Sequence, residues 1–588
     1  MNSALGNVTE SSYNKRLRMN KFHSTLLLGL LLAAGCGGPV KPAGPADSGF
    51  VTEYLTPTRI VCVSGPVDNA EHLLEPYVGQ VSTDEPEAAT FGKGGYVLLD
   101  FGKEIQGGLQ LVRNINGSKD VKFRIVLGES VSEALSDFHA PGTTATNDHA
   151  VRDFELAVPW LGSVEVGNSG FRFVRVELVD GDGEEVSLVT VRAISKYRDV
   201  PYLGAFKCND DRLNQIWQTG AYTVHLCMQD YLWDGVKRDR LVWMGDMHPE
   251  IMTLNTVFGN QQIVRKSLDY VRDKTAPTDW MNGICSYSLW WIILQHHLYQ
   301  WYGDLDYLKE QGDYLKALLH SVMANMDGAR ENYQDGRFID WPSNDQPDVI
   351  HAGLQALTVR ALEAGAEMAE TLGDNNLQKE CADVAKELRT YVPDAVGNSQ
   401  AAALLAIEEM MDPEEASAII LGNGPEKFTS FMGYYLLEAL AKGGHYAEAM
   451  KLISDYWGRM LDLGATTFWE DFNYSDAKDA ARIDEVVPKG KFDIHADGGA
   501  WCYVGLRHSF CHGWASGPTA WLSEHVLGIE PVGAGFKTVR IDPHLGDLEW
   551  AEGAFPTPYG LIEVRHTKNP DGSVSSQVKL PKGVKQVK

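Results

Sequence analysis

Cysteine is scarce for a chain of this length, with eight in 588 residues, and no two form a CxxC pair. Cys62, Cys208, Cys227, Cys285, Cys381, Cys502 and Cys511 are scattered and odd in number, which argues against a disulfide framework and a structural zinc site. They are expected as small buried apolar residues. There is no GxSxG elbow, so serine-hydrolase chemistry has no support. In "HSFCH", His508 and His512 stand at i, i+4 without the glutamate of a zinc-binding helix, and no metal or cofactor is expected. "GKGG" at 92–95 lacks the strand-to-helix setting of a phosphate loop and reads as a turn. Positive charge is short as well: 52 Lys and Arg against 79 Asp and Glu leave a formal charge of −27. Such a surface repels phosphate backbones, so nucleic acid is not an expected partner.

Long apolar runs are missing apart from one. "NKRLRMNKFHSTLLLGLLLAAGCGG" has a basic start, an apolar stretch from Leu26 to Ala34, and small residues before Cys36. That is the pattern of a secretory signal, too short to span a bilayer. "LAAGC" resembles a bacterial lipobox, which makes Cys36 the expected lipidation site; ordinary cleavage near Ala34 is the other reading. Met19 begins a more usual signal length. The expectation is an exported protein, lipid-anchored in the bacterial cell envelope, touching the membrane through that anchor alone. The residues after Cys36 are not acidic, which favours the periplasmic side. "GGPVKPAGPAD" then reads as a flexible tether.

What is present divides into three parts. From residue 50 to about 200, short runs such as "VKFRIVLGE", "FRFVRVELV" and "VSLVTVRAIS", punctuated by Gly, Asn and Asp, read as the strands of a sandwich. From about residue 209 the period changes. "DRLNQIWQTGAYTVHLCMQDY" spaces its apolar residues as a helix does, capped by Asp210 or Asp211, and helical segments follow one another to about residue 463. Near 248–273 a single helix is expected. After Pro531, strands return in "FKTVRIDPHL", "GLIEVRHT" and "GSVSSQVKL".

Two stretches concentrate chemistry. "WDGVKRDRLVWMGDMHPE" at 233–250 sets Asp234, Asp239, Asp246 and Glu250 among Lys237, Arg238 and Arg240, with Trp233 and Trp243. Tryptophan is costly to leave in water, which sets this apart from a plain surface charge run. "LGATTFWEDFNYSD" at 463–476 places Glu470 and Asp471 directly after Phe468 and Trp469. Carboxylates flanked by aromatics suit a sugar, whose C–H faces stack on rings while its hydroxyls need charged partners. A third stretch, "DIHADGGAWCYVGLRHSFCHGWASGPTAW", offers His495, Asp497, Trp501, His508, His512 and Trp514.

Glycoside hydrolysis needs two carboxyl groups; Asp234, Asp239 or Asp246 can supply one and Glu470 the other. Blander readings stand beside each. Asp246 precedes "MHPEIM" and fits a helix N-cap. Asp239 between two arginines fits a solvated ion pair. Glu470 fits a surface position beside a buried tryptophan, and His512 fits a structural histidine.

Taken together, these stretches resemble the bacterial α-L-rhamnosidases of the six-hairpin, inverting kind, glycoside hydrolase family 78. "LLDFGKEIQGGLQL" and "GFRFVRVEL" are similar to the family's β-sandwich phrases, "WDGVKRDRLVWMGD" to its acidic loop, "GATTFWEDF" to its second catalytic loop, and "HGWASGPTAWLSEHVLGIEP" to its last helix. The resemblance implies a multidomain fold class: an all-α (α/α)6 toroid catalytic domain flanked by N-terminal and C-terminal β-sandwich domains. The boundaries are 1–36 for the signal, 37–49 for the tether, 50–204 for the N-terminal sandwich, 205–530 for the helical domain and 531–588 for the C-terminal β domain.

It also implies roles. Asp239 falls at the general-acid position and Glu470 at that of the general base. Asp234, Arg238, Trp243, Asp246, Trp469 and His512 are implied substrate contacts. The expected activity is exo-acting, inverting release of terminal α-L-rhamnose from a rhamnose-containing oligosaccharide or polysaccharide. Alternatives are a six-hairpin glycosidase for another deoxy or uronic sugar, and a lipid-anchored glycan-binding protein without catalysis. Among the loop's departures from the family pattern, Gly235-Val236 stand where Cys-Pro is usual, and Asp239 stands where glutamate is usual. The second change shortens the acid by one methylene, and a displacement on the order of 1 Å can cost about a hundredfold in rate.

Overall fold

The computed structural model describes residues 42–83 and 87–587. The signal, Cys36 and tether residues 37–41 lie outside the described residues.

The N-terminal part forms a nine-stranded sheet built on three long strands, Tyr96–Arg113, Gly162–Asp180 and Val186–Arg198. The sequence predicts short strands in a sandwich. Instead "YVLLDFG" and "LQLVR" belong to one strand, whose pairing with Gly162–Asp180 shifts register between Asp100 and Ile105 and again between Gly107 and Leu109. Such bulges let one strand bend and change neighbours without breaking. Its first half pairs with Arg59–Ser64 and its second with Val186–Arg198. Gly107 is required in this strand: a Cβ there would strike the carbonyl oxygen of Ile194. Side chains alternate between faces, as strand geometry demands. Val97 and Leu99 enter the main core, while Leu98 joins Phe173 beneath the short helix Val131–Leu135.

The helical part begins with Asp211–Cys227, capped by the Asp210 carboxylate on the Arg212 and Leu213 N–H groups. The helix expected near 248–273 is two, Met247–Phe258 and Gln262–Lys274. The chain turns at Gly259, in the left-handed region with φ 69°. Later helices follow the expected spans closely, including Cys285–Tyr302, Pro347–Leu372 and Tyr446–Asp462. Trp290, Trp291, Trp457 and Trp521 are fully buried between them. The first helix packs against both Tyr446–Asp462 and Gly517–Trp521, so the last helices return to the first. No helix among the described residues is long and apolar enough to cross a membrane.

The C-terminal part has a four-stranded and a three-stranded sheet. The four-stranded sheet borrows Ala205–Cys208, a segment placed in the helical domain from sequence, which pairs antiparallel with Trp550–Thr557. One chain segment thus fastens the entrance of the helical part to the C-terminal sheet.

Candidate active site

The acidic stretch is the connection between the first two helices, Asp211–Cys227 and Met247–Phe258. Asp234 organises it. Its backbone N–H donates to the Leu241 carbonyl (3.0 Å), and its carboxylate Oδ1 accepts from the Leu241 N–H (2.8 Å). Its own carbonyl accepts from the Gly513 N–H (2.7 Å), which ties this loop to the loop of His512. Gly235 suits that closeness, because a Cβ there would lie 2.9 Å from the Cys511 carbonyl oxygen. The Glu470 loop joins from the third direction: the N–H of Glu470 donates to the Ser509 carbonyl (2.9 Å), and that of His512 to the Phe468 carbonyl (3.0 Å).

These loops wall a cavity of about 360 Å³, inside the ordinary range for small-ligand sites of about 300–1,000 Å³. Asp234, Arg238, Asp239, Trp243, Asp246, Glu470 and His512 all line it. At its centre is the imidazole of His512, whose Nε2 lies 3.5 Å from Asp234, 3.7 Å from Glu470 and 3.9 Å from Asp246. Burial pulls the His512 pKa down to about 4, against the upward pull of Glu470. The ring is therefore neutral at ordinary pH. Burial pushes the carboxyls of Asp234 and Asp246 well above the usual range, and repulsion from neighbouring carboxylates adds to it. Arg238 supplies the permanent cation. It donates to a Glu470 carboxylate oxygen and to the Cys502 carbonyl (3.2 Å), and the nitrogen that meets Glu470 lies 4.0 Å from Asp239.

The competing readings are decided by these contacts. Asp246 stands at the N-cap position but makes no capping bond; its Oδ1 accepts from the Tyr287 hydroxyl (2.8 Å). Asp239 is not a solvated pair with its neighbours. Arg240 turns to the Asn168 carbonyl (3.0 Å) and lies over the ring of Trp233, while Asp239 accepts from the Trp243 indole N–H (3.1 Å). Glu470 is buried, at 3% exposure, and is no surface residue.

Trp469 is a correction. It is buried at 1% exposure, stacks on Phe510 with ring centroids 4.2 Å apart, and does not line the cavity. Successive residues of an extended loop point to opposite sides, so placing Glu470 in the site sends Trp469 into the core. Asp471 also lies off the cavity; burial, with repulsion from Asp340, pushes its carboxyl up to about 7. Lys237 is structural: its ammonium is buried on Glu133 (2.9 Å) and the Leu506 and His508 carbonyls (2.7 Å each). Glu250 is fully buried beneath Gly513 beside Cys227. His495 is fixed by Ser130 (2.7 Å), and Trp501 is 46% exposed.

Several contributors were not foreseen. Tyr287 comes from the buried helix Cys285–Tyr302, where its hydroxyl is indistinguishable in sequence from a core tyrosine. Asn282 grips the acidic loop, accepting from the Met244 N–H (2.9 Å) and donating to the Val242 carbonyl (3.1 Å). Phe338 and Trp341 close the aromatic side. His149, from the N-terminal part, places its Nδ1 3.5 Å from Asp239.

Two clusters among the described residues have metal-ligand geometry. In Glu129–Glu133–His495 the Lys237 ammonium already supplies the cation. Glu438–Glu524–His525 is partly exposed, lies on a separate cavity of about 450 Å³, and is tied internally by the His525–Glu438 pair (2.9 Å).

Comparison with known proteins bears on this arrangement. The family described as the bacterial alpha-L-rhamnosidase 6 hairpin glycosidase domain matches residues 201–526, and the bacterial alpha-L-rhamnosidase C-terminal domain matches 528–587. An alpha-L-rhamnosidase of Streptomyces avermitilis is 24% identical over 558 residues, covering 88% of this chain and 50% of its own length. The chain spans about half the length of the curated relatives it matches. The GH78 family rhamnosidase of Bacillus sp. GL1 superposes with TM-score 0.69 at 21% identity, over 88% of this chain and 56% of that one. A rhamnosidase from Klebsiella oxytoca with rhamnose bound gives 0.67 at 19%, over 81% of this chain and 96% of that one.

Proposed function

Because the chain belongs to the bacterial α-L-rhamnosidase six-hairpin glycosidase family, we propose that it is an exo-acting, inverting glycoside hydrolase that releases terminal α-L-rhamnose. The observation that carries this reading is the meeting of two loops: Arg238 and Glu470, 232 residues apart in sequence, pair in the cavity that Asp239 also lines. A toroid of helical hairpins, whose loops converge at one end, accounts for that meeting.

In this reading Asp239 protonates the glycosidic oxygen as the C–O bond breaks, and the bonding pair leaves with the aglycone. Glu470, oriented by Arg238, takes a proton from the water that attacks the opposite face of the anomeric carbon. Inversion needs carboxyl groups roughly 6.5–9.5 Å apart, leaving room for that water. Asp234, Asp246 and neutral His512 bind the sugar hydroxyls, and the rings of Trp243 and Trp341 cover its apolar face. The substrate is a rhamnose-containing glycan, delivered to an enzyme tethered to the cell envelope through lipidated Cys36. Loss of labelled-palmitate incorporation in Cys36→Ala tests that tether.

A panel of aryl glycosides tests the sugar. Hydrolysis of the α-L-rhamnoside, with other deoxy and uronic glycosides at least tenfold slower, supports the proposal; the reverse order overturns it. Binding of rhamnose without turnover of any glycoside favours the non-catalytic reading.

A further inference from the structure

The N-terminal β-sheet domain reaches the edge of the site beside Asp239. His149 lies in the connection between the helix Val131–Leu135 and the strand Asp153–Ala157, and its Nδ1 is 3.5 Å from Oδ1 of Asp239. Both ends of this contact sit on unusual backbone: φ is 62° at His149, 54° at Asp239 and 59° at Arg240. Side-chain-bearing residues hold such angles only when their surroundings over-determine them. Here the surroundings do. Asn168, also from the N-terminal domain, takes both Arg240 guanidinium nitrogens at 3.0 and 3.2 Å.

The far side of the imidazole fixes its proton. Nη2 of Arg507 lies 3.1 Å from His149 Nε2, and a guanidinium can only donate. Nε2 therefore accepts, which leaves the ring proton on Nδ1, the nitrogen nearest Asp239. Asp148 lies 3.4 Å from the same Nε2 and balances Arg507, whose Nε and Nη2 reach its carboxylate at 3.0 and 2.9 Å. The other oxygen of Asp239 accepts from the Trp243 indole (3.1 Å). Arg238 is at 4.0 Å, and Asp234, Asp246, Glu470, His512 and Cys502 share the cavity.

We propose that His149 is a positioning residue for Asp239, so that the N-terminal domain completes the active site. This rests on the assignment of Asp239 as general acid. A general acid begins protonated and ends as a carboxylate, and N–H donors aimed at its oxygens bind the carboxylate more strongly than the acid. When Asp239 gives its proton to the departing oxygen, the charge left behind is held by the hydrogen bond from the Trp243 indole N–H and by the imidazole dipole of His149, which at 3.5 Å is an electrostatic contact and not a hydrogen bond. No proton leaves His149. The proton that Glu470 takes from water returns to Asp239 through solvent.

The test compares His149→Ala and His149→Asn in the full chain on two rhamnosides. An alkyl rhamnoside needs protonation of its leaving group; a dinitrophenyl rhamnoside does not. For His149→Ala, kcat on the alkyl substrate should fall about 3- to 10-fold, the loss expected for a 3.5 Å polar contact weaker than a hydrogen bond to a charged group. On the dinitrophenyl substrate the loss should shrink sharply. His149→Asn, whose amide can donate from a similar place, should recover part of the rate. Equal losses on both substrates, or no loss on either, would overturn the proposal. Asp239→Asn, run in parallel, separates the two claims. If it spares the alkyl rhamnoside, the acid assignment fails; if it abolishes that activity while His149→Ala does not, only the role of His149 fails.

Discussion

Arg238 and Glu470 form a buried ion pair, in which the guanidinium is shared between the Glu470 carboxylate and the carbonyl of Cys502 while Asp239 lies 4.0 Å away. One cation therefore stands between the two carboxyl groups assigned to catalysis. It fixes the place of the base relative to the acid. Glu470→Gln keeps the shape and removes the base, so turnover should drop by about 100- to 10,000-fold with the melting temperature little changed. Steady-state kinetics with a thermal melt check this; a variant that keeps most of its activity removes Glu470 from the mechanism.

Asp246 touches the cavity through a carboxyl that Tyr287 holds with a 2.8 Å bond. Tyr287→Phe should release it and raise KM for rhamnosides by about tenfold, with a smaller change in kcat. A KM that does not move would mean that Asp246 does not contact the sugar.

Trp469 packs on Phe510, away from the cavity. Trp469→Ala should cost about 3–5 kcal/mol of stability, as other large core truncations do, and Trp469→Phe should keep KM close to that of the wild type. A large KM increase in folded Trp469→Phe would return the residue to the site.

Lys237 neutralises buried Glu133 and Glu129 of the N-terminal domain. Lys237→Met removes one of the two cations at these carboxyls, Arg152 keeping its 3.1 Å pair with Glu133, and should destabilise the protein by about 3–5 kcal/mol in denaturant titrations. A loss below about 1 kcal/mol would show that the carboxylates are compensated elsewhere.

His512 has its pKa pulled down to about 4 in the folded state, against about 6.5 when unfolded. Between these values the unfolded chain binds more protons than the native one, so stability rises with pH across this window and is lost as pH falls through it. His512→Gln should flatten the slope of unfolding free energy between pH 4 and 6.5, a contribution of roughly 2–4 kcal/mol across the window. An unchanged slope would mean that the ring is not held neutral.

The sequence was most legible where chemistry forces residues together. Charge crowded around tryptophan marked 233–250, and a carboxylate next to aromatics marked Glu470; both line the cavity. The same logic misplaced Trp469, because an aromatic beside a catalytic carboxylate looks alike whether it stacks on a sugar or on Phe510. Helix ends were readable from caps such as Asp210, but the break at Gly259 was hidden inside a continuous apolar pattern. Contacts set by distant pairing left no local trace. The strand Ala205–Cys208 joins a sheet whose other strands lie beyond residue 550, and His149 meets Asp239 across a domain junction.

The central claim is inverting hydrolysis of an α-L-rhamnoside by the Asp239–Glu470 pair, and proton NMR of the reaction as it proceeds tests it most directly. With the full chain and an aryl α-L-rhamnoside, β-L-rhamnose should appear first and then mutarotate to the equilibrium mixture. First appearance of α-L-rhamnose, or no release by the folded protein, would contradict it.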